Sequence, residues 1–253
     1  MKSILLSFCL LFCTVLSATT TPFVSAGAEA CRMKRMRYGG TQQQGTLNGA
    51  RLTYNRLAPS CIYLGADYFK GKAQMSGHSG TQKPIASEIT DSILEGRFGY
   101  VFPTQAERVS LFALFTGYGS FRETNDFNHP TPLPLTFTDT FSYIPVGFLA
   151  GINVTSFMNV GLNFKAMFML DGESHIFDEE LNSSETLLMN NEINIRIELP
   201  VTLSPSDTLF NLSFAVVPFL ELRHFGGREG YPYDFLDTKF NLIGGRLALV
   251  SYF

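Results

Sequence analysis

Residues 189–201 read Met-Asn-Asn-Glu-Ile-Asn-Ile-Arg-Ile-Glu-Leu-Pro-Val, and their alternation decides the fold. Apolar side chains fall mainly on odd positions, whereas the polar side chains Asn194, Arg196 and Glu198 fall on even positions. Successive side chains of a β-strand point to opposite faces, so this period of two predicts a strand with one apolar and one polar face. At helical spacing the same charges would surround the cylinder, and no face could be buried. The sequence therefore predicts a strand over residues 187–201.

Two neighbouring segments, residues 159–171 and 208–224, show the same alternation of apolar and polar side chains. Five segments nearer the N-terminus are rich in Gly, Phe, Tyr and Leu but alternate only in part. Most of the predicted strands have about 12–16 residues, whereas strands of soluble sheets have roughly 5–6 and a tilted membrane strand needs about 9–11. These lengths favour strands that cross a membrane. The five weaker segments are residues 46–57, 60–73, 88–102, 108–121 and 137–152.

The composition excludes a helical membrane protein and a nucleic-acid-binding protein. The chain is 45% hydrophobic with 24 Phe, 10 Tyr and no Trp, yet no apolar run after residue 26 is long enough for a membrane helix. Many aromatic residues at moderate hydrophobicity are typical of strands that alternate between a lipid face and a polar interior. Without residues 1–26 the chain keeps 18 basic against 22 acidic residues, a formal charge of −4, because Lys2 is the one basic residue removed. Such a scattered negative charge does not fit nucleic acid.

The first 26 residues have the pattern of a cleaved secretory signal peptide. Lys2 supplies the positive start, residues 4–16 form an apolar core, and Val24-Ser25-Ala26 supplies small residues before a cleavage site. The apolar run is shorter than the roughly 20 residues of a membrane-spanning helix. We therefore expect Sec-type export and a mature chain that begins near Gly27.

Predicted connections alternate between short and long along the chain. Membrane barrels place short turns at their periplasmic end and long loops at their extracellular end. The pattern therefore predicts an antiparallel up-and-down β-barrel with its long loops outside the cell. The short connections are residues 57–60, 103–107, 153–156 and 204–207, and the long ones are residues 74–87, 122–136, 172–186 and 225–237.

The C-terminal stretch, residues 247–253, reads Leu-Ala-Leu-Val-Ser-Tyr-Phe and ends on an aromatic residue. With this ending and the strand pattern of residues 45–253, the chain resembles bacterial outer-membrane β-barrel proteins as a class, without indicating a subfamily. The resemblance implies that the last strand is the signal read by the barrel-assembly machinery, with Leu247, Leu249 and Phe253 as its matching residues. Ser251 departs from the pattern, because an aromatic or apolar residue is usual there.

Nine strands are visible, and a barrel with an even strand number needs one more. Residues 32–44 are the candidate for that strand, although their four basic side chains interrupt the alternation. The alternative is a basic periplasmic tail ahead of an eight-stranded barrel. We expect ten strands, with eight and twelve open, so that residues 27–45 are an N-terminal segment or first strand and residues 46–253 the barrel. The four basic residues are Arg32, Lys34, Arg35 and Arg37.

Pro145 and Pro218 lie inside predicted strands, where each removes a hydrogen-bond donor from the ladder. A closed barrel has no edge that could accept such a loss. We therefore expect a bulge or a rim position at each proline.

Inward positions of the predicted strands carry charges of both signs in near balance. In a small barrel such side chains either pair into a polar plug or line a narrow water-filled pore with weak charge selectivity. The plug is favoured, since the interior of a small barrel is just wide enough for side chains to fill. The lumen-facing candidates are Glu95, Arg97, Lys165, Glu192, Arg196, Glu198, Glu221, Arg223 and Arg246.

Residues that could carry other chemistry are few. Cys31 and Cys61, the two cysteines after the signal segment, permit one disulfide in an oxidising envelope. Ser174-His175 is the one adjacent Ser-His pair with acidic residues nearby, but a long loop would not hold a catalytic geometry. No closely spaced ligand set indicates a metal site, so we name no catalytic residue, no metal ligand and no cofactor. The histidines are scattered in or near the predicted long loops, at His78, His129, His175 and His224.

Two classes of function remain for such a barrel. The first is a structural or adhesin-like surface barrel without enzymatic activity, whose loops meet a host or environmental partner. The alternative is a small porin for polar solutes, and a barrel enzyme acting on lipid or peptide is the least favoured. We expect the outer-membrane bilayer and the barrel-assembly machinery as partners, and no nucleic acid.

Overall fold

A computed structural model shows an all-β chain whose antiparallel strands close into a barrel, which confirms the predicted fold class. Among the described residues no helix is long and apolar enough to cross a membrane. The structure describes residues 21–37, 39–57, 61–102, 108–129, 135–204, 212–227 and 237–252.

Twelve strand segments follow one another around the barrel, almost entirely in chain order. The last segment pairs with the first, with Phe23 opposite Tyr252 and Arg37 opposite Thr238, and this pairing closes the wall. A closed wall leaves few strand groups without a hydrogen-bond partner in lipid. The segments are β1 (Thr21–Arg37), β2 (Gln42–Leu57), β3 (Ile62–His78), β4 (Pro84–Val101), β5 (Val109–His129), β6 (Leu135–Asn153), β7 (Met158–Asp178), β8 (Ser183–Leu188), β9 (Ile193–Glu198), β10 (Val201–Leu203), β11 (Leu212–Phe225) and β12 (Thr238–Tyr252).

The segments β8, β9 and β10 lie end to end beside β7 and together form the eighth barrel strand, so the barrel has ten strands. The break between β9 and β10 falls at Leu199 and Pro200, next to Pro218 of β11. Proline has no N–H group, so the ladder loses donors at this point. The backbone N–H of Leu199 still donates to the carbonyl oxygen of Pro218 at 3.0 Å. The bulge or rim position expected at Pro218 is thus replaced by a break in the neighbouring strand, between β9 and β10.

The second proline also lies at an irregular place in the wall. The pairing of β6 with β5 skips the residues between Val146 and Tyr143, which include Pro145. On the other side of β6, the register to β7 shifts between Ser142 and Tyr143. The missing N–H group of Pro145 therefore lies where the ladder is already interrupted.

The break between β8 and β9 changes the prediction for residues 187–201. Asn194 and Arg196 are buried and point inward, as the alternation predicts. Met189 is also buried and points inward, although its odd position predicts the lipid face. The irregular residues 190–192 shift the alternation by one position, so a single uninterrupted strand over this range is wrong.

The predicted tenth strand exists and confirms the strand number, but its predicted bounds, residues 32–44, are wrong because only residues 32–37 of that range belong to it. β1 runs from Thr21 to Arg37, and the chain then turns back at Gly39 and Gly40, whose φ angles are 85° and 87°. Because side chains disfavour positive φ, two successive glycines suit this hairpin turn. The basic residues of this segment therefore lie on β1 in the wall, and not in a periplasmic tail.

β1 includes residues that precede the predicted mature terminus at Gly27. Ser25 shares a hydrogen bond of 2.8 Å with Thr53, joining the hydroxyl oxygens of the two side chains. The ring of Phe23 packs against Tyr252 with 5.6 Å between ring centroids. Cleavage after Ala26 would remove both contacts, so we propose that the signal peptide is cleaved before Phe23 instead. The apolar core of the signal segment lies outside the described residues.

The strands are longer than predicted at the end where β1 turns into β2, which we call the outer end. β3, β5 and β7 continue to His78, His129 and Asp178, through segments predicted to be long loops. Their outward side chains are polar here, so the lipid-facing pattern that indicates a membrane strand is missing. The long loops predicted from residues 74, 122 and 172 are therefore mostly strand.

Outward side chains divide the wall into two zones. The lower zone is an apolar belt, formed on β4 by exposed residues such as Leu94, Phe98 and Tyr100. The upper zone, which we call the raised wall, is polar. Along β4 and the next residue, Phe102, the belt covers residues 94–102, a length that fits the about 9–11 residues of a tilted membrane strand. Each of the ten barrel strands has one outermost belt residue and one first wall residue. In chain order these pairs are Ala30 and Arg32, Ala50 and Asn48, Tyr68 and Lys70, Leu94 and Ser92, Tyr118 and Ser120, Ile144 and Ser142, Leu170 and Asp171, Ile193 and Asn191, Leu222 and His224, and Ile243 and Asn241.

The two cysteines are free and far apart, so the disulfide that the sequence permits is not formed. Cys31 lies opposite Leu47 of β2, whereas Cys61 lies beyond Leu57 at the other end of that strand. At about 3.3 Å per residue this separates them by roughly 30 Å, while a disulfide needs Cα atoms about 4.4–6.8 Å apart.

Candidate functional site

A layer of paired charges crosses the barrel interior at the level of the apolar belt, and we call it the ionic layer. Arg196 of β9 lies at its centre and is 4% exposed. Its guanidinium nitrogens contact carboxylate oxygens of Glu29 at 3.0 Å, Glu198 at 2.8 Å and Glu221 at 2.6 Å. Five N–H donors in a planar fork allow one guanidinium to bridge three carboxylates. Arg196 thereby joins β1, β9 and β11 across the lumen.

Arg51 and Arg223 extend the ionic layer on either side of Arg196. Each of them shares one carboxylate with Arg196 and binds one further carboxylate from β3 or β4. Buried charges are tolerated when they are paired and hydrogen-bonded, and this shared arrangement meets that condition. The pairs are Arg51 with Glu29 (2.8 Å), Arg51 with Asp67 (2.5 Å), Arg223 with Glu221 (2.5 Å) and Arg223 with Asp91 (2.5 Å).

Glu95 of β4 collects a second group of partners on the opposite wall. Its carboxylate contacts the ammonium of Lys165 at 2.8 Å and accepts a hydrogen bond from the hydroxyl of Tyr143 at 2.8 Å. Arg97 lies 3.4 Å away. A side chain at Gly119 would collide with the ring of Tyr143, so the glycine makes room for this contact. The interior is therefore filled by side chains from both halves of the wall.

Eight of the lumen-facing candidates lie inside the barrel at this level, and Glu192 lies elsewhere. Arg246 approaches Glu198 at 3.7 Å. Glu192 lies at the outer end, where its carboxylate contacts His224 at 3.1 Å. The sequence reasoning missed several inward charges because they lie on strands with weak alternation. Their positions in the sequence carry a signal, because each charge lies between two residues that face outward. The missed residues are Glu29, Arg51, Asp67, Asp91, Glu123 and Asp139.

Aromatic rings and methionines fill the interior above the ionic layer, and we call this cluster the aromatic plug. Phe121 and Phe141 stack with 4.7 Å between ring centroids, and Phe225 packs 5.3 Å from Phe141 and 5.1 Å from Phe240. Inside the raised wall the barrel therefore has an apolar core instead of a water-filled channel. The buried methionines are Met33, Met75, Met167, Met169 and Met189.

Below the ionic layer the interior opens into a cavity of about 420 Å³, which we call the inner cavity. Its lining runs from Arg51 and Arg196 of the ionic layer to Asn153, Ser204 and Tyr252 near the inner end of the barrel. The charges close the cavity toward the outer end. The cavity therefore lies on the inner side of the ionic layer.

A further ion pair lies within the raised wall, outside the membrane-spanning part of β5. Glu123 and Arg35 are buried, with 3.5 Å between carboxylate and guanidinium. Burial, together with the nearby carboxylates of Asp91 and Asp139, raises the pKa of Glu123 to about 8, against the lowering effect of Arg35. The carboxyl of Glu123 therefore changes its charge near neutral pH.

The Ser174-His175 pair does not form a catalytic pair. Consecutive residues of β7 point to opposite faces, so Ser174 is buried and His175 is exposed. The hydroxyl of Ser174 donates to Asp139 at 2.5 Å, and the imidazole of His175 contacts the hydroxyl of Thr186 at 3.1 Å. A base on the outer face cannot accept a proton from a hydroxyl inside the barrel.

The four histidines lie at or near the outer end, as expected, but on strands, because β3, β5 and β7 extend through the predicted loops. His78 and His129 end β3 and β5, while His175 and His224 lie within β7 and β11. The imidazole of His224 lies between two carboxylates, Glu192 at 3.1 Å and Asp237 at 2.5 Å. In the described ranges, no group of three or more His, Cys, Asp and Glu side chains could hold a metal ion.

Solved structures with a similar fold are outer-membrane proteins. The outer membrane protease OmpT from Escherichia coli superposes with a TM-score of 0.64 at 10% identity, covering 92% of this chain and 96% of that one. The fold is that of an outer-membrane β-barrel. The translocator domain of the autotransporter NalP from Neisseria meningitidis gives a TM-score of 0.47 at 10% identity, covering 99% of this chain and 97% of that one. A major outer membrane protein from Thermus thermophilus gives 0.48 at 14% identity, covering 93% and 100%.

These comparisons concern the fold of the barrel, because identities this low do not carry function from one protein to another. No family model matches the sequence, and the comparison with curated proteins finds no match. The function of the barrel must therefore be argued from its own side chains.

Proposed function

We propose that the protein is an integral outer-membrane barrel without enzymatic activity, a structural or adhesin-like protein that presents its raised wall to the surroundings. The filled interior is the observation that carries this proposal. The ionic layer and the aromatic plug leave no continuous water path through the described residues. The outer surface is then the part of the barrel that can meet a partner.

The raised wall suits recognition of a host or environmental ligand. On β5 and β6 its outward side chains are mostly hydroxyl-bearing residues that can donate and accept hydrogen bonds. Thr136 donates to Asp126 at 2.8 Å, so part of this surface is already ordered. A polar surface on a rigid barrel can vary without disturbing the fold, which favours binding over a purely structural role. These outward residues are Ser120, Thr124, Thr136, Thr138, Thr140 and Ser142.

The alternative is a small porin, and the inner cavity favours it. Passage of a solute from this cavity to the outside would require Arg196 to separate from three carboxylates and the phenylalanines of the aromatic plug to part. Both changes would expose charged or apolar side chains that are now paired or packed. The filled state is therefore the one that we expect in the membrane.

Two observations support the absence of enzymatic activity. Among the three histidines whose side chains the structure describes, none faces the barrel interior. Ser174, the buried serine of the adjacent Ser-His pair, donates to Asp139, while the imidazole of His175 lies on the outer face. OmpT is a protease, but an identity of 10% is too low to transfer that activity to this barrel.

Export through a signal peptide and insertion by the barrel-assembly machinery complete the proposal. Leu247 and Leu249 of β12 are exposed on the outward face, where an assembly factor could bind them. Phe253 lies outside the described residues. We expect removal of Phe253 to lower the yield of assembled barrel in the outer membrane.

Surface labelling tests whether the raised wall faces the outside of the cell. Three single-cysteine variants, Thr138→Cys on the raised wall, Val146→Cys in the belt and the natural Cys61 near the inner end, are compared in a chain otherwise without cysteine. A membrane-impermeant maleimide applied to intact cells should label Thr138→Cys alone. Labelling of Cys61 on intact cells would mean that the barrel is inverted, and equal labelling of Val146→Cys would mean that the belt is not in lipid.

A further inference from the structure

Basic residues are concentrated on one side of the raised wall, formed by β12, β1 and β3, which we call the basic face. Its five cations are all exposed and point outward. The opposite side, formed by β5 and β7, carries Arg122 together with the carboxylates of Asp126, Asp171 and Glu173. Charge is therefore segregated around the wall. The cations of the basic face are Arg32, Lys34, Lys70, Lys72 and Lys239.

The basic face begins where the apolar belt ends. Lys70 lies two residues beyond Tyr68, the outermost belt residue of β3. Arg32 lies opposite Ile243 of β12, which is a belt residue with 65% of its surface exposed. A bilayer that covers the belt places its polar head groups at this level.

Most cations of the basic face have no carboxylate partner. Lys72 pairs with Glu88 at 3.0 Å, on a part of the wall where both side chains are exposed. Arg32 donates to the neutral amide oxygen of Gln44 at 3.0 Å. Within the described part of the chain, no carboxylate contacts Lys34 or Lys70. The face therefore keeps an excess of positive charge toward an anion.

A groove on the same face could receive the anion. It lies between Arg32 on β1 and Lys72 on β3, has a volume of about 760 Å³, and is lined along β2 by Gln44, Thr46 and Asn48. Glu88 of β4 also lines the groove and pairs with Lys72, so an anion would bind on the side of Arg32. Phosphate oxygens accept hydrogen bonds from guanidinium and ammonium groups, and the amide and hydroxyl groups between them can donate further bonds. The arrangement fits a phosphate group held at the membrane surface.

We propose that the basic face binds the phosphate groups of lipids in the outer leaflet. This inference rests on the membrane placement in the proposed function, but it names a ligand that the proposed function does not require. Each basic residue near an anionic membrane surface strengthens binding by roughly fivefold. Binding of this kind would hold the barrel at a set height and orient its opposite, acidic side toward lipid of lower charge.

Lipid retention tests the proposal with a matched control. The refolded barrel is placed in vesicles of equal parts phosphatidylcholine and phosphatidic acid, extracted into detergent, and analysed by native mass spectrometry for bound lipid. The wild type should retain phosphatidic acid, and the variant Arg32→Gln/Lys34→Gln/Lys70→Gln should retain at least about tenfold less. Arg122→Gln, which removes a cation from the opposite side, should retain as much as the wild type. Altered migration on unheated gels confirms that each variant has folded.

Two results would overturn the proposal. One is equal retention of phosphatidic acid by the triple variant and the wild type, and the other is an equal loss in Arg122→Gln. Free phosphate provides a further arm, because millimolar inorganic phosphate should not displace the retained lipid. Complete displacement would assign the basic face to a soluble phosphate compound and refute the lipid proposal, while the labelling result for the raised wall would still stand.

Discussion

Replacing Arg196 by methionine removes the cation at the centre of the ionic layer. Two of its three carboxylate partners keep a second arginine within 2.8 Å, Glu29 through Arg51 and Glu221 through Arg223. Glu198 keeps only longer contacts, with Arg246 at 3.7 Å and with the amide of Asn163 at 3.3 Å. Breaking a buried ion pair costs about 3–5 kcal/mol when it leaves a charge uncompensated, and the poorly compensated charge of Glu198 places this variant at the low end of that range. We therefore expect Arg196→Met to lower the free energy of unfolding by about 3 kcal/mol.

Urea unfolding in lipid vesicles measures this loss, with the β-sheet content followed by circular dichroism. Adding Glu198→Gln to Arg196→Met removes the poorly compensated charge, so the double variant should be more stable than the single one. Lys72→Gln serves as the control, because its pair with Glu88 is exposed and such pairs contribute about 0–1 kcal/mol. If Arg196→Met costs no more than Lys72→Gln, the ionic layer is not a buried network and the reasoning is wrong.

Three further predictions follow from the wall and its ends. The mature chain should retain Phe23, because β1 needs it, and intact-mass measurement of the purified protein would contradict this if the chain began at Gly27. Ile195→Arg in the belt should cost about 2–4 kcal/mol in the same unfolding assay, whereas Thr138→Arg on the raised wall should change stability by less than about 0.5 kcal/mol; equal costs would refute the division into two zones. The folded state raises the pKa of Glu123 from 4.5 to about 8, so folding takes up a proton and stability should fall as pH rises through this range. Glu123→Gln should remove that slope in a pH series of unfolding curves, and an unchanged slope would contradict the assignment.

The belt could be predicted from sequence because lipid imposes a simple rule on outward side chains. On β9 and β11, residues such as Ile195 and Leu220 alternate with inward charges, and the strands follow directly. β12 adds the terminal pattern with Leu247 and Leu249 facing outward. The alternation of β9, β11 and β12 predicts membrane strands, and the structure places all three in the wall.

The sequence predicts long loops in place of the raised wall because apolar side chains there occupy the inward positions, the reverse of the belt. On β4, Leu94 points outward within the belt, whereas Ile93 and Ile89 point inward above it. Apolar residues therefore change parity along a single strand, and the alternation looks weak when the whole segment is read at once. A strand that leaves the membrane as part of a packed barrel gives this mixed pattern.

The first strand was misplaced for a different reason. Its outward residues in the belt are small, such as Ala26, Ala28 and Ala30, so it lacks the large apolar side chains that mark other strands. Its start also overlaps a stretch that resembles a cleavage site. The small residues contribute little to a hydropathy pattern, and the pairing with β12 and β2 is what defines β1.

The ionic partners could not be predicted from sequence at all. Arg196 and Glu29 lie 167 residues apart in the chain and meet only because the barrel closes between β12 and β1. Parity identifies which charges face inward, but the stagger of the strands decides which of them meet. The sequence therefore predicted several members of the ionic layer and none of its pairs.

Single-channel conductance in a planar bilayer tests the central claim that the interior is filled. The refolded barrel, with its insertion verified by protease protection, should give no steady current steps. Arg196→Met should give none either, because the aromatic plug still fills the interior above the ionic layer. Steady steps from the wild type, with a size that changes in Arg196→Met and Glu198→Gln, would contradict the filled interior and establish a pore through the ionic layer.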